Sequence, residues 1–263
     1  MNAADGFALA GVSFAYGAIP ALAGLNLSLK PGRFYGVVGP NGCGKTTFLD
    51  LLTGGKKPAQ GSVTFMGQPV ADYRRRDLAR LIALVPQDFA IDFAFTVQEV
   101  VLMGRHPHIG RFASPAAEDW RQVEAAMAAI GISHFQDRYV NELSGGEKQR
   151  VVVARALAQQ TPYLLFDEAT SSLDVRYTMQ IFNEARRLVR DEGRTVIAVI
   201  HNLNLAAAYC DELICMQGGK VAACGPSDTV LEPELIKKVF GVESRVAFDE
   251  FSNIRQISFR YWS

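Results

Sequence analysis

Gly39-Pro40-Asn41-Gly42-Cys43-Gly44-Lys45-Thr46-Thr47 decides how this chain is read. It fits the spacing G-x-x-x-x-G-K-[ST], in which backbone N–H groups wrap the phosphates of a nucleoside triphosphate. Gly39, Gly42 and Gly44 let the main chain close round an anion without Cβ clashes. Lys45 supplies a point charge to the β- and γ-phosphates, and Thr46 a hydroxyl for Mg²⁺. Context separates a cradle from a chance match. Phe34–Val38 is a short apolar run that reads as a strand, and residues 46–52 continue as a helix with its positive end at the loop. Strand, glycine loop and helix in that order are what the pattern requires.

Working outward, two further stretches carry chemistry. Leu143-Ser144-Gly145-Gly146-Glu147 places a serine hydroxyl and paired glycines at a helix start, a combination that can grip a phosphate. Tyr163-Leu164-Leu165-Phe166-Asp167-Glu168 is an apolar strand ending in two carboxylates. With the loop in front, these pieces resemble the ATP-binding cassette (ABC) ATPases, and the resemblance covers roughly residues 6–245. Gln149-Arg150 and Ala154-Arg155-Ala156-Leu157 extend the family's text.

The resemblance implies roles residue by residue. Gly39, Asn41, Gly42, Cys43, Gly44, Lys45, Thr46 and Thr47 would bind the nucleotide, with Tyr16 stacked on its adenine. Asp167 would hold the Mg²⁺ shell together with Thr46 and Gln87. Glu168 would orient and polarise the attacking water, while Gln87 matches the Q-loop and His201 the switch histidine that meets the γ-phosphate. Catalysis of this kind rests on placement and charge stabilisation, with Lys45 contributing to both. Asp174 matches the D-loop. In the family, Ser144, Gly145 and Gly146 engage ATP held by a second cassette, so the resemblance implies a head-to-tail pair, here a homodimer. Asp-Glu-Pro-Thr is the usual text after the strand; Asp167-Glu168-Ala169-Thr170 departs from it with both carboxylates intact.

Alternating strands and helices imply an α/β fold. The expectation is a P-loop NTPase core with a mostly parallel sheet, an antiparallel β subdomain and an inserted all-α helical subdomain near residues 90–145. A short C-terminal extension over about 226–263 completes a single nucleotide-binding domain of residues 1–263. Thr96-Val97-Gln98-Glu99 reads as a capping box, and Ser114-Pro115 as the start of a helix carrying Trp120, Val123, Met127 and Ile130 at core spacing. Leu213–Met216 and Val221–Ala223 read as a hairpin through Gly218-Gly219. Ile257, Phe259 and Tyr261 alternate as a terminal strand.

Composition narrows the class. Lys plus Arg and Asp plus Glu each number 27 among 263 residues, and no basic stripe suggests nucleic acid. Arg74-Arg75-Arg76 reads as a solvated helix end. Cys43, Cys210, Cys215 and Cys224 show no metal or disulfide spacing, which suits a reducing cytosol. Cys43 has no catalytic role, although its alkylation would block nucleotide. Residues 6–29 carry no charge, yet four glycines and a proline interrupt them, and they read as two strands joined at Tyr16-Gly17. With no other span, transmembrane function needs separate permease subunits.

Within the family the text is most similar to ATPase subunits of importers for iron–siderophores, haem and cobalamin. Residues 96–112, 201–211 and 233–242 carry that likeness, and molybdate or tungstate importers share much of it. Soluble ABC ATPases and exporter ATPases are the rival classes. The resemblance implies ATP and Mg²⁺ as cofactors and a substrate-binding protein outside the membrane. It also implies a peripheral place on the cytoplasmic face of the inner membrane. It sets His106-Pro107-His108 near the permease as a rigid interface loop, not as a haem or metal ligand.

Overall fold

The computed structural model describes residues 6–87, 94–170 and 173–260. The chain divides into two compact units, one of Met1–Tyr73 with Ile197–Ser263 and one of Arg74–Val196. The first opens with β1 (Phe7–Tyr16), β2 (Ile19–Leu29), β3 (Phe34–Val38), α1 (Lys45–Leu52), β4 (Gln60–Phe65) and β5 (Gln68–Pro69). The second holds α2 (Arg75–Leu78), β6 (Ile82–Val85), α3 (Val97–Leu102), α4 (Ala117–Ala129), α5 (Gly145–Ala158), β7 (Tyr163–Phe166) and α6 (Val175–Glu192). β8 (Thr195–Val199) carries the chain back into the first unit. There follow α7 (Leu203–Tyr209), β9 (Glu212–Gln217), β10 (Lys220–Pro226), α8 (Ser227–Val230), α9 (Pro233–Phe240), β11 (Ser244–Asp249) and β12 (Ile254–Phe259).

In the first unit the charge-free run is the antiparallel pair β1–β2, within a sheet ordered β2-β1-β4-β5. Phe7 and Leu9 are buried while Ala8 and Ala10 face solvent, the period-2 pattern of a sheet with one dry face. Phe7 stacks on Phe65 of β4 with ring centroids 4.5 Å apart. β3, buried along its whole length, pairs in parallel with β9, and Val37 accepts the Ile200 N–H at 3.0 Å. Strands so covered read as continuous apolar runs. β9 turns through Gly218-Gly219 into antiparallel β10.

In the second unit β6 and β7 pair in parallel, with Leu84 opposite Leu165 and Val85 opposite Phe166. α5 buries Val151, Val152, Ala154 and Leu157 and packs against α3 and α4. Thr96 and Glu99 form the expected capping box on α3. α4 departs from expectation at its start. It begins at Ala117, not at Ser114-Pro115, because the Asp119 carboxylate reaches back to the Ala116 N–H at 2.9 Å. Val123, Met127 and Ile130 are core residues, whereas Trp120 stays 37% exposed at the edge of the apolar stripe.

Arg76 is more than a solvated helix end. Its guanidinium donates to the Pro107 and Ile109 carbonyls, and Arg80 Nε donates to Pro107 at 2.8 Å. With His108 Nε2 2.8 Å from the Gln159 carbonyl, the 106–109 loop is fixed on several sides. Among the described residues no group of three or more His, Cys, Asp or Glu side chains is placed to hold a metal ion, and no helix is long and apolar enough to cross a membrane. The terminal strand is β12, paired with β11, which sequence periodicity did not single out. Tyr261, Ser171, Ser172 and residues 90–93 of the expected helical block lie outside the described residues.

Candidate functional site

In the first unit, β3 delivers the chain into the glycine loop and α1 leaves it. Gly44 takes a left-handed conformation as the N-cap of α1, with no side-chain cap and no acidic residue in the first turn. A helix start with neither a side-chain cap nor an acidic residue is the setting in which an anion binds. Two glycines are required by close approach. A Cβ on Gly39 would lie 2.2 Å from the Met216 carbonyl, and one on Gly44 2.6 Å from a Leu22 methyl. Lys45 is buried, and its ammonium donates to the Gly39 and Pro40 carbonyls at 2.9 and 3.0 Å. Those bonds hold it inside the loop, where incoming phosphate would compete for it. Burial pushes the Cys43 thiol above its ordinary range, with Lys45 partly offsetting the effect.

Tyr16 sits beside the same helix, its hydroxyl 3.2 Å from Thr47 Oγ1 and its ring half exposed. Lys56 Nζ lies 5.3 Å from the ring centroid and 3.1 Å from Asp50 Oδ2. A cation held over one face of an aromatic ring attracts its quadrupole. Neither Lys56 nor Asp50 belongs to a motif, so sequence reasoning missed both. His201 follows β8 and is exposed. Asn202 behind it caps α7, accepting the Asn204 and Leu205 N–H groups.

In the second unit, β7 places Asp167 in a buried position, its N–H bonded to the Val85 carbonyl at 2.9 Å. Glu168 adopts φ +52, a left-handed conformation uncommon for a residue with a Cβ. Its carboxylate accepts from Gln87 Nε2 at 3.1 Å. Parallel pairing accounts for this meeting across 81 residues of sequence: Val85 faces Phe166, so Gln87 and Glu168 emerge side by side two residues later.

Ser144 caps α5 in a reciprocal box with Glu147. The Ser144 hydroxyl and N–H both donate to the Glu147 carboxylate, at 2.7 and 2.8 Å, and hold its pKa below the usual range. Asp174 caps α6, accepting the Tyr177 N–H at 3.0 Å. The Arg150 guanidinium stacks 3.9 Å from the Tyr177 ring centroid and so ties α5 to the start of α6.

The ABC transporter family matches residues 22–171 of this chain. Over 225 residues the chain is 44% identical to a cobalamin import ATP-binding protein of Halobacterium salinarum, covering 86% of this chain and 56% of that relative. Over 229 residues it is 43% identical to a hemin import ATP-binding protein of Gloeobacter violaceus, covering 84% of this chain and 82% of that relative. The chain thus spans just over half the length of the first and most of the second. Among solved structures it matches a metal-chelate type ABC transporter in an inward-facing conformation with a TM-score of 0.83, at 29% identity and 98% of both chains. With its phosphate loop, carboxylate strand and serine-capped helix in the places described, the chain belongs to the ABC transporter family as an ATP-binding cassette.

Proposed function

We propose that this chain is the ATP-hydrolysing motor of an importer that takes up a metal chelate of the iron–siderophore, haem or cobalamin type. The observation that carries the reading is Glu168, held in a left-handed backbone and hydrogen-bonded to Gln87 beside buried Asp167. A carboxylate fixed in this way can orient a water and take its proton. The loop N–H groups and Lys45 bind the phosphates, and Tyr16 offers a ring to the adenine. His201 meets the γ-phosphate. The hydroxyl of Thr46, the amide oxygen of Gln87 and the carboxylate of Asp167 are hard oxygen donors of the kind Mg²⁺ takes. When bound, Mg²⁺ offsets charge on the phosphate oxygens.

Ser144, Gly145, Gly146 and Asp174 engage ATP on a second, identical cassette, and ATP drives closure because it binds the closed pair better than the open one. Residues 1–263 then act as one nucleotide-binding domain, with a helical subdomain near 90–145 and a C-terminal extension near 226–263. Permease subunits sit above it, a substrate-binding protein feeds the complex from outside, and the chain works at the cytoplasmic face of the inner membrane. Similarity to the cobalamin and hemin import proteins and to the metal-chelate type transporter supports the cargo class.

Glu168→Gln tests the chemistry. Turnover should fall at least about 100-fold while ATP binding persists; hydrolysis near the wild-type rate overturns the role of Glu168. Reconstitution with a permease tests the cargo. Stimulation by a binding protein loaded with siderophore, haem or cobalamin supports the proposal, and stimulation only by a molybdate- or tungstate-loaded one replaces the cargo. Hydrolysis with no permease association removes the transport reading.

A further inference from the structure

The C-terminal hairpin is fastened to the helix that follows His201. Asn204 lies in the first turn of α7, and its side-chain amide pairs reciprocally with one backbone residue of β12. Asn204 Nδ2 donates to the Ile257 carbonyl at 3.2 Å, and the Ile257 N–H donates to Asn204 Oδ1 at 2.7 Å. This is the bonding pattern of a sheet ladder, supplied on one side by a side chain.

The hairpin is itself held firmly. Ile257 is buried and stands opposite Val246 in the β11–β12 register. Arg255 donates to the Asp228 carbonyl at 2.7 Å, and Arg260 pairs with Glu243 at 2.7 Å. On the other side of the latch, Asn202 receives the Asn204 and Leu205 N–H groups at 2.9 and 3.2 Å, so the turn just after His201 is closed on itself. Leu203 and Ala206 anchor α7 in the core. His201 and residues 256–259 line one depression of about 670 Å³, so β12 reaches the neighbourhood of the imidazole. Without the latch, the first turn of α7 keeps its Asn202 cap and its apolar face but loses its tie to β12, and the ends of short helices fray easily.

We propose that Asn204 is a positioning residue for hydrolysis: through its reciprocal pair with Ile257, the C-terminal hairpin fixes the first turn of α7 and with it His201. The inference rests on the proposed contact between His201 and the γ-phosphate. The hairpin thereby becomes part of the hydrolytic apparatus instead of a decorative tail, and whatever binds or shifts it will change turnover.

The test is a double-mutant cycle on the full chain, assayed with MgATP, of Asn204→Leu, His201→Ala and the pair. Asn204→Leu should lower kcat about ten-fold with ATP binding stoichiometry unchanged. In the His201→Ala background it should have no further effect, because the residue it positions is gone. An equal loss in both backgrounds would mean that Asn204 only supports the fold, and overturns the proposal, as does an unchanged kcat. Asn204→Asp keeps an acceptor for the Ile257 N–H while turning an oxygen on the Ile257 carbonyl. It should also lose turnover only when His201 is present, and it serves if the leucine variant folds poorly. Wild-type turnover by His201→Ala alone would instead overturn the reading of His201, a failure distinct from that of the latch.

Discussion

Gly39 shows how closely single residues are set. Its backbone has φ +153, and an added Cβ would meet the Met216 carbonyl at 2.2 Å and Cys43 Sγ at 2.8 Å. The carbonyl belongs to β9, where Met216 pairs with Val221 of β10, and it cannot step aside without disturbing that ladder. Gly39→Ala should therefore cost about 1–3 kcal/mol of stability and displace the loop. Urea unfolding would show the first and fluorescent-nucleotide titration the second, as ATP affinity reduced at least about ten-fold. Unaltered affinity would mean that the loop can be shifted without loss. The residues of this loop were legible in sequence because they are contiguous and their spacing is dictated by one anion. Lys56 and Asp50 were not, since a cation over Tyr16 obeys no spacing rule. Gln87 and Glu168 were each singled out, but their hydrogen bond depends on strand register, which no local pattern encodes.

Elements show the same division. The capping box of α3 was legible because both partners lie within one turn. The start of α4 is not legible in sequence because Asp119 decides it, and Asp119 is engaged from outside its own helix. Arg105 Nε lies 3.0 Å from its Oδ1, both side chains are buried, and Arg105 Nη1 donates to the Ala158 carbonyl at 2.8 Å. One pair thus fastens the start of α4 to the end of α5. Burial alone would raise the Asp119 pKa, but the Ala116 N–H and the Arg105 guanidinium outweigh it and hold the carboxyl below its ordinary value. A carboxyl depressed by folding contributes stability above its unfolded pKa, and that contribution fades as pH falls through the lowered folded pKa. Asp119→Asn should cost about 3 kcal/mol near neutral pH, because it leaves a buried guanidinium without a counter-charge. The gap from wild type should narrow in acid, as pH falls through the lowered folded pKa and the native carboxyl also protonates. Denaturation series near neutral pH and in acid would show it; a gap independent of pH would mean that shape, not charge, makes the joint.

On the scale of the whole molecule, the α/β class and the two-strand reading of residues 6–29 were legible because they follow from hydrophobic period and glycine placement. The pairing of β11 with β12 was not, because β11 alternates on a half-exposed hairpin where periodicity is weak. The proposed pairing of two cassettes also belongs to this scale. A serine-capped helix start grips phosphate only if a phosphate is presented to it, and in the proposed head-to-tail pair the other chain presents it. Two inactive variants then become a test of assembly. Lys45→Ala spoils a chain's own loop but leaves its Ser144 intact, whereas Ser144→Arg spoils the helix start but leaves the loop. In a mixed pair, one composite site carries both defects and the other carries neither. Random pairing makes half the dimers mixed, each with one sound site, so an equimolar mixture should recover about a quarter of the wild-type sites. Each variant alone should stay inactive. Recovery on mixing, measured as phosphate release at a chain concentration that favours pairing, would establish that the site is shared between chains. A mixture as inactive as its parts would mean that each chain works alone or that neither variant can pair, and cross-linking of the mixture separates those two outcomes.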